Sequence, residues 1–308
     1  MSIVVAILQA LLLMLLAPLT SGIGRWLRAK IHTRKGPSIF QDYYDIIKLF
    51  KRDDVRTESS TFVSRYMPVL YVGVCFVLAM GMPMATRACP IPVLGDIILI
   101  IYLLALPRFF FGLAGVDRSG NYASIGGIRE LIVGILVEPS MMLALFATAM
   151  ILGTTNVGTM GEMIGSLQVA SPVGVTVAGV AFAVACYIEL GKLPYDVAEA
   201  EQELQEGPLS EYSGPSLGMI KVAMTMKQIL VVSWFLAIFL PFGSAVEMTA
   251  PAMALGLVVY LVKMAVVFLV ILVVENLVAR VRFKFMGKQT WAVVGIAVLA
   301  FVFCALGI

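Results

Sequence analysis

Eight apolar stretches divide this sequence, each close to the roughly 17–25 residues a helix needs to cross about 30 Å of hydrocarbon. They fall at about 2–21, 68–88, 93–114, 131–153, 172–192, 228–247, 251–275 and 289–307. The expected fold is all-α: one integral membrane domain over residues 1–308, with about eight transmembrane helices. Composition fits this reading, because 60% of the 308 residues are hydrophobic and only 13% are charged. That charged share is about half of what soluble domains carry. The mean hydropathy of +0.98 describes a surface whose solvent is lipid rather than water. The first stretch carries no N-terminal charge cluster and no small-residue cleavage site before Arg25. It is therefore expected to be a retained span.

The charged residues alternate in side. Residues 22–67 hold ten of the 22 lysines and arginines: Arg25, Arg28, Lys30, Arg34, Lys35, Lys48, Lys51, Arg52, Arg56 and Arg65. The connection near 115–130 adds Arg118 and Arg129. The one near 193–227 adds Lys221 and Lys227, with Lys192 at its edge. The one near 276–288 adds Arg280, Arg282, Lys284 and Lys288. With eight spans all four connections share one face, and the other face keeps only Arg87, Glu162 and Glu247. The positive-inside rule then puts the basic face in the cytoplasm and both termini on the periplasmic side.

Several chemistries are excluded. Cys75, Cys89, Cys186 and Cys304 lie far apart without a CxxC, so no conventional four-cysteine iron–sulfur site is expected. His32 is the only histidine, which rules out a bis-histidine haem. No Walker or GxGxxG motif opens a helix after a strand. A net charge of +3 gives no reason to expect nucleic acid as a partner.

What remains is ionisable chemistry. Charges inside a bilayer are costly and mark function by default. Glu138, followed by Pro139, and Lys263 are read in that way. Arg108, beside Pro107, is read as structural, and Glu275 as reaching out to water. The segment Gln41–Lys51 places Tyr43, Ile46, Ile47 and Phe50 at helical spacing. It is expected to be an amphipathic helix, either at the interface or an ordinary surface helix. The stretch 188–214 carries Glu189, Asp196, Glu199, Glu201, Glu203, Glu206 and Glu211. Asp196, Glu199, Glu203 and Glu206 have the spacing i, i+3, i+7, i+10. One helix would align them on one stripe, ending at Gly207–Pro208. Crowded carboxylates share protons, which suits proton uptake. A solvated acidic loop is the bland alternative.

At these residues the chain resembles the subunit 1 family of respiratory complex I. It is more similar still to the equivalent membrane subunit of group 4 membrane-bound nickel–iron hydrogenases, the formate hydrogenlyase type. The resemblance rests on Arg34-Lys35-Gly36-Pro37 with Gln41, Asp42, Asp45 and Lys48; on Gly127-Ile-Arg129-Glu130; on Val137-Glu138-Pro139; and on Glu189 through Leu193-Pro-Tyr-Asp196 to Glu211-Tyr-Ser-Gly214. It implies a non-catalytic anchor between a peripheral redox arm and antiporter-like membrane subunits, in a bacterial inner membrane. The nickel–iron centre and iron–sulfur clusters would belong to the arm's large, small and iron–sulfur subunits, with no cofactor in this chain. Glu138, Glu189, Asp196, Glu199, Glu201, Glu203, Glu206 and Glu211 become proton-route candidates, joined by Lys263 from its place in the span. Arg34, Lys35, Gly36, Pro37, Gln41, Asp42, Asp45 and Lys48, with Arg129 and Glu130, would meet the arm. Where complex I members continue with a Gly-aromatic step, this chain reads Gln205-Glu-Gly-Pro-Leu-Ser210, so no quinone site is assigned. A quinone-site subunit of complex I and a scaffold without ion movement stay open as alternatives.

Overall fold

A computed structural model describes residues 2–55, 60–117, 120–247 and 249–307, with the backbone alone at Ser2 and Glu201. Arg56 and Arg118, counted above among the basic connections, lie outside the described residues. Among the described residues, eight of the eleven α-helices are long and apolar enough to span a bilayer. These are α1 (Ser2–Ile31), α3 (Phe62–Gly81), α4 (Ile97–Asp117), α5 (Asn121–Leu152), α7 (Pro172–Glu189), α9 (Gly214–Phe239), α10 (Ala250–Leu277) and α11 (Phe283–Leu306). The short ones are α2 (Gln41–Phe50), α6 (Val157–Gly165) and α8 (Glu201–Leu204). The chain is thus an all-α, multi-pass membrane protein.

The alternation of faces is built into the loops. On one end Val55 and Ser213 exchange hydrogen bonds of 2.8 and 2.9 Å. There too, Thr61 donates to Asp117 at 2.7 Å, and the Val281 amide donates to the Pro194 carbonyl at 3.0 Å. These bonds join all four connections expected to share a side. On the other end the Arg87 amide donates to the Ala245 carbonyl at 2.9 Å and the Ile97 amide to the Thr155 carbonyl at 2.9 Å.

Several boundaries differ from expectation: α1 runs on to Ile31, which takes Arg25, Arg28 and Lys30 into a helix, and the second span is Phe62–Gly81 rather than 68–88. The fourth span begins at Asn121 and the sixth at Gly214, so Arg129, Glu130, Lys221 and Lys227 sit in helices rather than in loops. Pro215 at the start of α9 explains the start at Gly214, because proline is favoured in a helix's first turn.

The amphipathic helix forms as α2. Its Asp42 is buried and paired with Arg25 of α1, and the Tyr43 hydroxyl donates to the Leu15 carbonyl. Tyr44, Ile47 and Phe50 stay exposed.

The acidic stretch does not form the expected single helix. Only Glu201–Leu204 is α-helical, and Ala200, Gln205, Glu206 and Gly207 all have positive φ. Tertiary packing overrides helix propensity here. The loop lies directly on Gly126 of α5, while Gly127 faces α4. A side-chain carbon on Gly126 would meet the Ala198 carbonyl at 2.8 Å and Gly207 Cα at 3.0 Å. One on Gly127 would lie 2.5 Å from the Gly112 carbonyl of α4. A helix about 10 Å across would not fit that approach.

Gly127→Leu is accordingly expected to force α4 and α5 apart. Overpacking of this kind costs about 1–3 kcal/mol or more. Thermal denaturation of the detergent-solubilised complex should show a lower midpoint and a lower yield; an unchanged midpoint would contradict the packing described.

Candidate functional site

Arg108 leaves α4 toward the middle of the bundle and is 4% exposed. A guanidinium there must be paired, because an isolated buried charge is prohibitively expensive. Its Nε donates to Glu130 Oε1 of α5 at 2.9 Å, one terminal nitrogen lies 3.6 Å from Glu138 Oε1, and the other lies 2.6 Å from Glu189 Oε2 of α7. Glu189 is held from its other side by Lys227 of α9, whose Nζ lies 2.8 Å from Oε1. Four spans therefore meet at one charge cluster. Room for it comes from Gly134, where an added side-chain carbon would lie 2.8 Å from Arg108 Cδ and 3.2 Å from Glu138 Oε1.

Two cations face three carboxylates in this cluster. By charge count it is neutral when one proton is bound, because carboxylates that crowd one site share protons. A small polar cavity of about 50 Å³ adjoins it, lined by Tyr71, Arg108, Glu130, Glu189, Asp196, Glu199 and Lys227. That volume holds about three or four waters. A second void of about 10 Å³ lies between Glu189 and Glu138. The Glu138 side chain is 31% exposed on the outer surface of α5.

The acidic loop roofs the larger cavity and sends its carboxylates different ways. Asp196 takes a 2.7 Å bond from Arg280 and a 3.3 Å bond from its own loop's Ala200 amide. Glu203 takes a 2.7 Å bond from Arg129, which holds its carboxyl below the ordinary value. Glu199 faces the cavity. Burial pushes its carboxyl up to about 7, and the neighbouring Asp196 adds to the rise. Glu206 is exposed, and Glu211 packs against Gly120. The side chain of Glu201 is outside the described set.

The structure thus brings Glu130, Glu138, Glu189, Asp196 and Glu199 together. It turns Glu203 toward Arg129 and Glu211 toward Gly120, and leaves Glu206 exposed though near enough to act on Glu199, so the four-carboxylate stripe is corrected to a cavity wall with divergent neighbours. Lys263 is not brought to the cluster. Its Nζ donates to the Leu240 carbonyl at 2.6 Å, at the far end of α9. Glu275, expected in water, is 7% exposed and bonded to Arg28 of α1 at 2.7 Å. Arg34–Pro37 form a turn folded against α1, with Gly36 beside Ala29 and Trp26. Gln41 donates to Asp45 at 3.0 Å, and Lys48 is exposed.

Sequence reasoning reads Arg108 as structural and counts Lys227 with a loop; the structure sets both beside the same carboxylates. Arg108 lies in an apolar run, under the same rule that singles out Glu138. Lys227 is hidden because a lysine reads as the end of a hydrophobic segment. Gly214–Pro215, a helix-start signature, is the signal that moves the boundary. Among the described residues, no group of three or more His, Cys, Asp or Glu side chains is placed to hold a metal ion.

A model of the family described as NADH dehydrogenase matches residues 3–306. The chain belongs to this family. Within the NADH dehydrogenase family it is 43% identical to formate hydrogenlyase subunit 4 of Escherichia coli (strain K12), over 98% of this chain and 98% of that one. It is 45% identical to hydrogenase-4 component C of the same organism, over 99% and 97%. NADH-quinone oxidoreductase subunit 8 of Rhodothermus marinus is more distant, at 28% over 62% and 57%. A chain of the membrane-bound sulfane sulfur reductase, an archaeal respiratory membrane complex, shares the fold with a TM-score of 0.83. That likeness is at 24% identity, over 97% of this chain and 99% of that one.

The Glu199 environment has a measurable consequence. Its folded pKa lies above the ordinary carboxyl value, so its contribution to stability is full below about pH 4.5 and is lost as pH rises through about 7. Infrared difference titration should show a carboxylic acid C=O band that disappears with a midpoint near pH 7 and is absent in Glu199→Gln. A midpoint near 4.5, the ordinary value, would contradict this environment.

Proposed function

We propose that this chain is the membrane anchor and energy-coupling subunit of a group 4 membrane-bound nickel–iron hydrogenase of the formate hydrogenlyase type. The observation that carries the reading is the Arg108 cluster with its small water-sized cavities. Glu199, Glu130 and Glu189 line the larger cavity, and Arg108 bridges Glu189 to Glu138, whose side chain is 31% exposed. The high likeness to hydrogenase membrane subunits along nearly the whole chain supports the hydrogenase branch.

In this reading the basic face lies in the cytoplasm of a bacterial cell, both termini are periplasmic, and the membrane is the inner one. The turn Arg34–Pro37, the helix carrying Gln41, Asp42, Asp45 and Lys48, and the loop tied by Arg129 receive the peripheral arm. The arm's large, small and iron–sulfur subunits hold the nickel–iron centre and the clusters. An antiporter-like subunit covers α5 where Glu138 emerges. When the arm shifts the acidic loop, Glu199 changes its proton occupancy. The cluster then passes the proton between carboxylates that share Arg108, and Glu138 delivers it to the neighbouring subunit. Such relays work when the groups titrate near the working pH.

Replacing Glu138, Glu199 and Glu203 singly with Gln in the intact complex tests this. Glu138→Gln and Glu199→Gln are expected to assemble and to lose coupled hydrogen evolution by roughly tenfold or more. Glu203→Gln, whose carboxylate is exposed, is expected to lose far less. Full activity in all three would leave an anchor without ion movement.

A further inference from the structure

The cytoplasm-facing half of the molecule, as oriented above, contains another cavity, which shares Gln228 with the cavity under the acidic loop. It is a groove of about 430 Å³ between α1 and α10. Leu16, Leu19 and Ile23 line one wall, and Leu261, Phe268 and Leu272 the other. Its polar end holds Arg25, Arg28, Lys192 and Glu275. We infer that this groove binds one anionic phospholipid, with acyl chain between α1 and α10 and phosphate at Arg25, Arg28 and Lys192.

Dimensions favour a lipid of one leaflet. From Leu16 to Arg28 the helix rises about 18 Å, close to half of the roughly 30 Å hydrocarbon layer. The groove is mainly apolar along that depth, with Thr20, Ser21 and Gln228 as its uncharged polar residues, and its cations are Arg25, Arg28 and Lys192. Its volume over that length takes one or two extended hydrocarbon chains and is too small for a further helix about 10 Å across.

Charge favours an acidic headgroup. Three cations stand at the mouth against one carboxylate of its lining. Arg28 gives one bond to Glu275, and Arg25 turns toward Asp42 and Asp45. Each guanidinium has five N–H donors, and both side chains are more than 40% exposed, so donors remain for phosphate oxygens. The Lys192 ammonium makes no hydrogen bond or ion pair among the described residues, although its charge also reaches Glu199. Basic pockets between spans at the cytoplasmic side are suited to acidic headgroups in this way. A free anion would satisfy the cations but leave the apolar walls without an occupant.

Gly24 supplies the test. It lines the groove, and a side-chain carbon there would meet no atom within 4 Å. Gly24→Leu therefore starts from open space and adds bulk to the groove, and Lys192→Gln removes a cation while keeping a polar side chain. The intact complex would be purified, stripped of lipid and incubated with photoactivatable phosphatidylglycerol or phosphatidylcholine. Crosslinked peptides would then be quantified. Crosslinks are expected in 16–28 and 261–275 with phosphatidylglycerol, reduced about fivefold by Lys192→Gln and abolished by Gly24→Leu, with subunit composition unchanged. Equal labelling by the two lipids would overturn the inference, as would labelling that survives Gly24→Leu. Loss of labelling on adding millimolar inorganic phosphate would assign the cations to a free anion instead. Displacement by a quinone analogue, without preference between the two lipids, would assign the groove to a neutral ligand.

Discussion

The buried Arg108 guanidinium is the constraint around which the rest of this bundle is arranged. A cation in the middle of a membrane domain dictates its own neighbours. Glu130, Glu138 and Glu189 arrive from two other spans to meet it, and Lys227 arrives from a fourth to complete Glu189. Breaking one partner out of such a set typically costs about 3–5 kcal/mol. The cluster therefore fixes the relative placement of α4, α5, α7 and α9. The glycines follow from that demand: Gly134 leaves space for the Arg108 stem, while Gly112 and Gly127 let α4 and α5 approach closely enough for the fork to reach.

The same charge set links stability to the proposed proton movement. Three carboxylates around two cations leave one negative charge to be neutralised, and a proton does so at little structural cost. The acidic loop closes the cluster from above without being part of it. Its backbone is pinned on Gly126, by Arg280 at Asp196 and by Arg129 at Glu203. These anchors involve α5, α11's leading segment and the loop itself. A partner that pulled on any of them would move Glu199 relative to the water-sized cavity. In the proposed function, coupling would consist of a loop whose position sets the solvation of one carboxyl, standing beside a cluster that one proton neutralises.

The eight spans, the shared face of the basic connections and the amphipathic helix were legible in the sequence because each rests on a local property. Apolar length, charge alternation and helical spacing need no tertiary information. The resemblance motifs led to the correct family for the same reason. The stripe of Asp196, Glu199, Glu203 and Glu206 misleads because its periodicity is helical while its packing is not. Contact with Gly126, a residue some 70 positions away, decides the backbone there. Lys227 and Arg108 are undervalued in sequence because a charge's role depends on what faces it across the bundle. Glu275 is the same case in reverse, since only Arg28 on α1 explains its burial. Glu138 and Glu189 stand out because an acid in an apolar run is already anomalous by itself.

Proton movement through the cluster is most directly measured in proteoliposomes containing the intact complex, with a pH-sensitive dye inside and hydrogen evolution followed outside. Wild-type complex should acidify or alkalise the lumen in step with hydrogen evolved. Glu189→Gln removes the carboxylate shared by Arg108 and Lys227, and should abolish that pH change even in vesicles whose assembled complex still contains its metals. A pH change per hydrogen equal to wild type in Glu189→Gln would contradict the central claim that this cluster carries the proton.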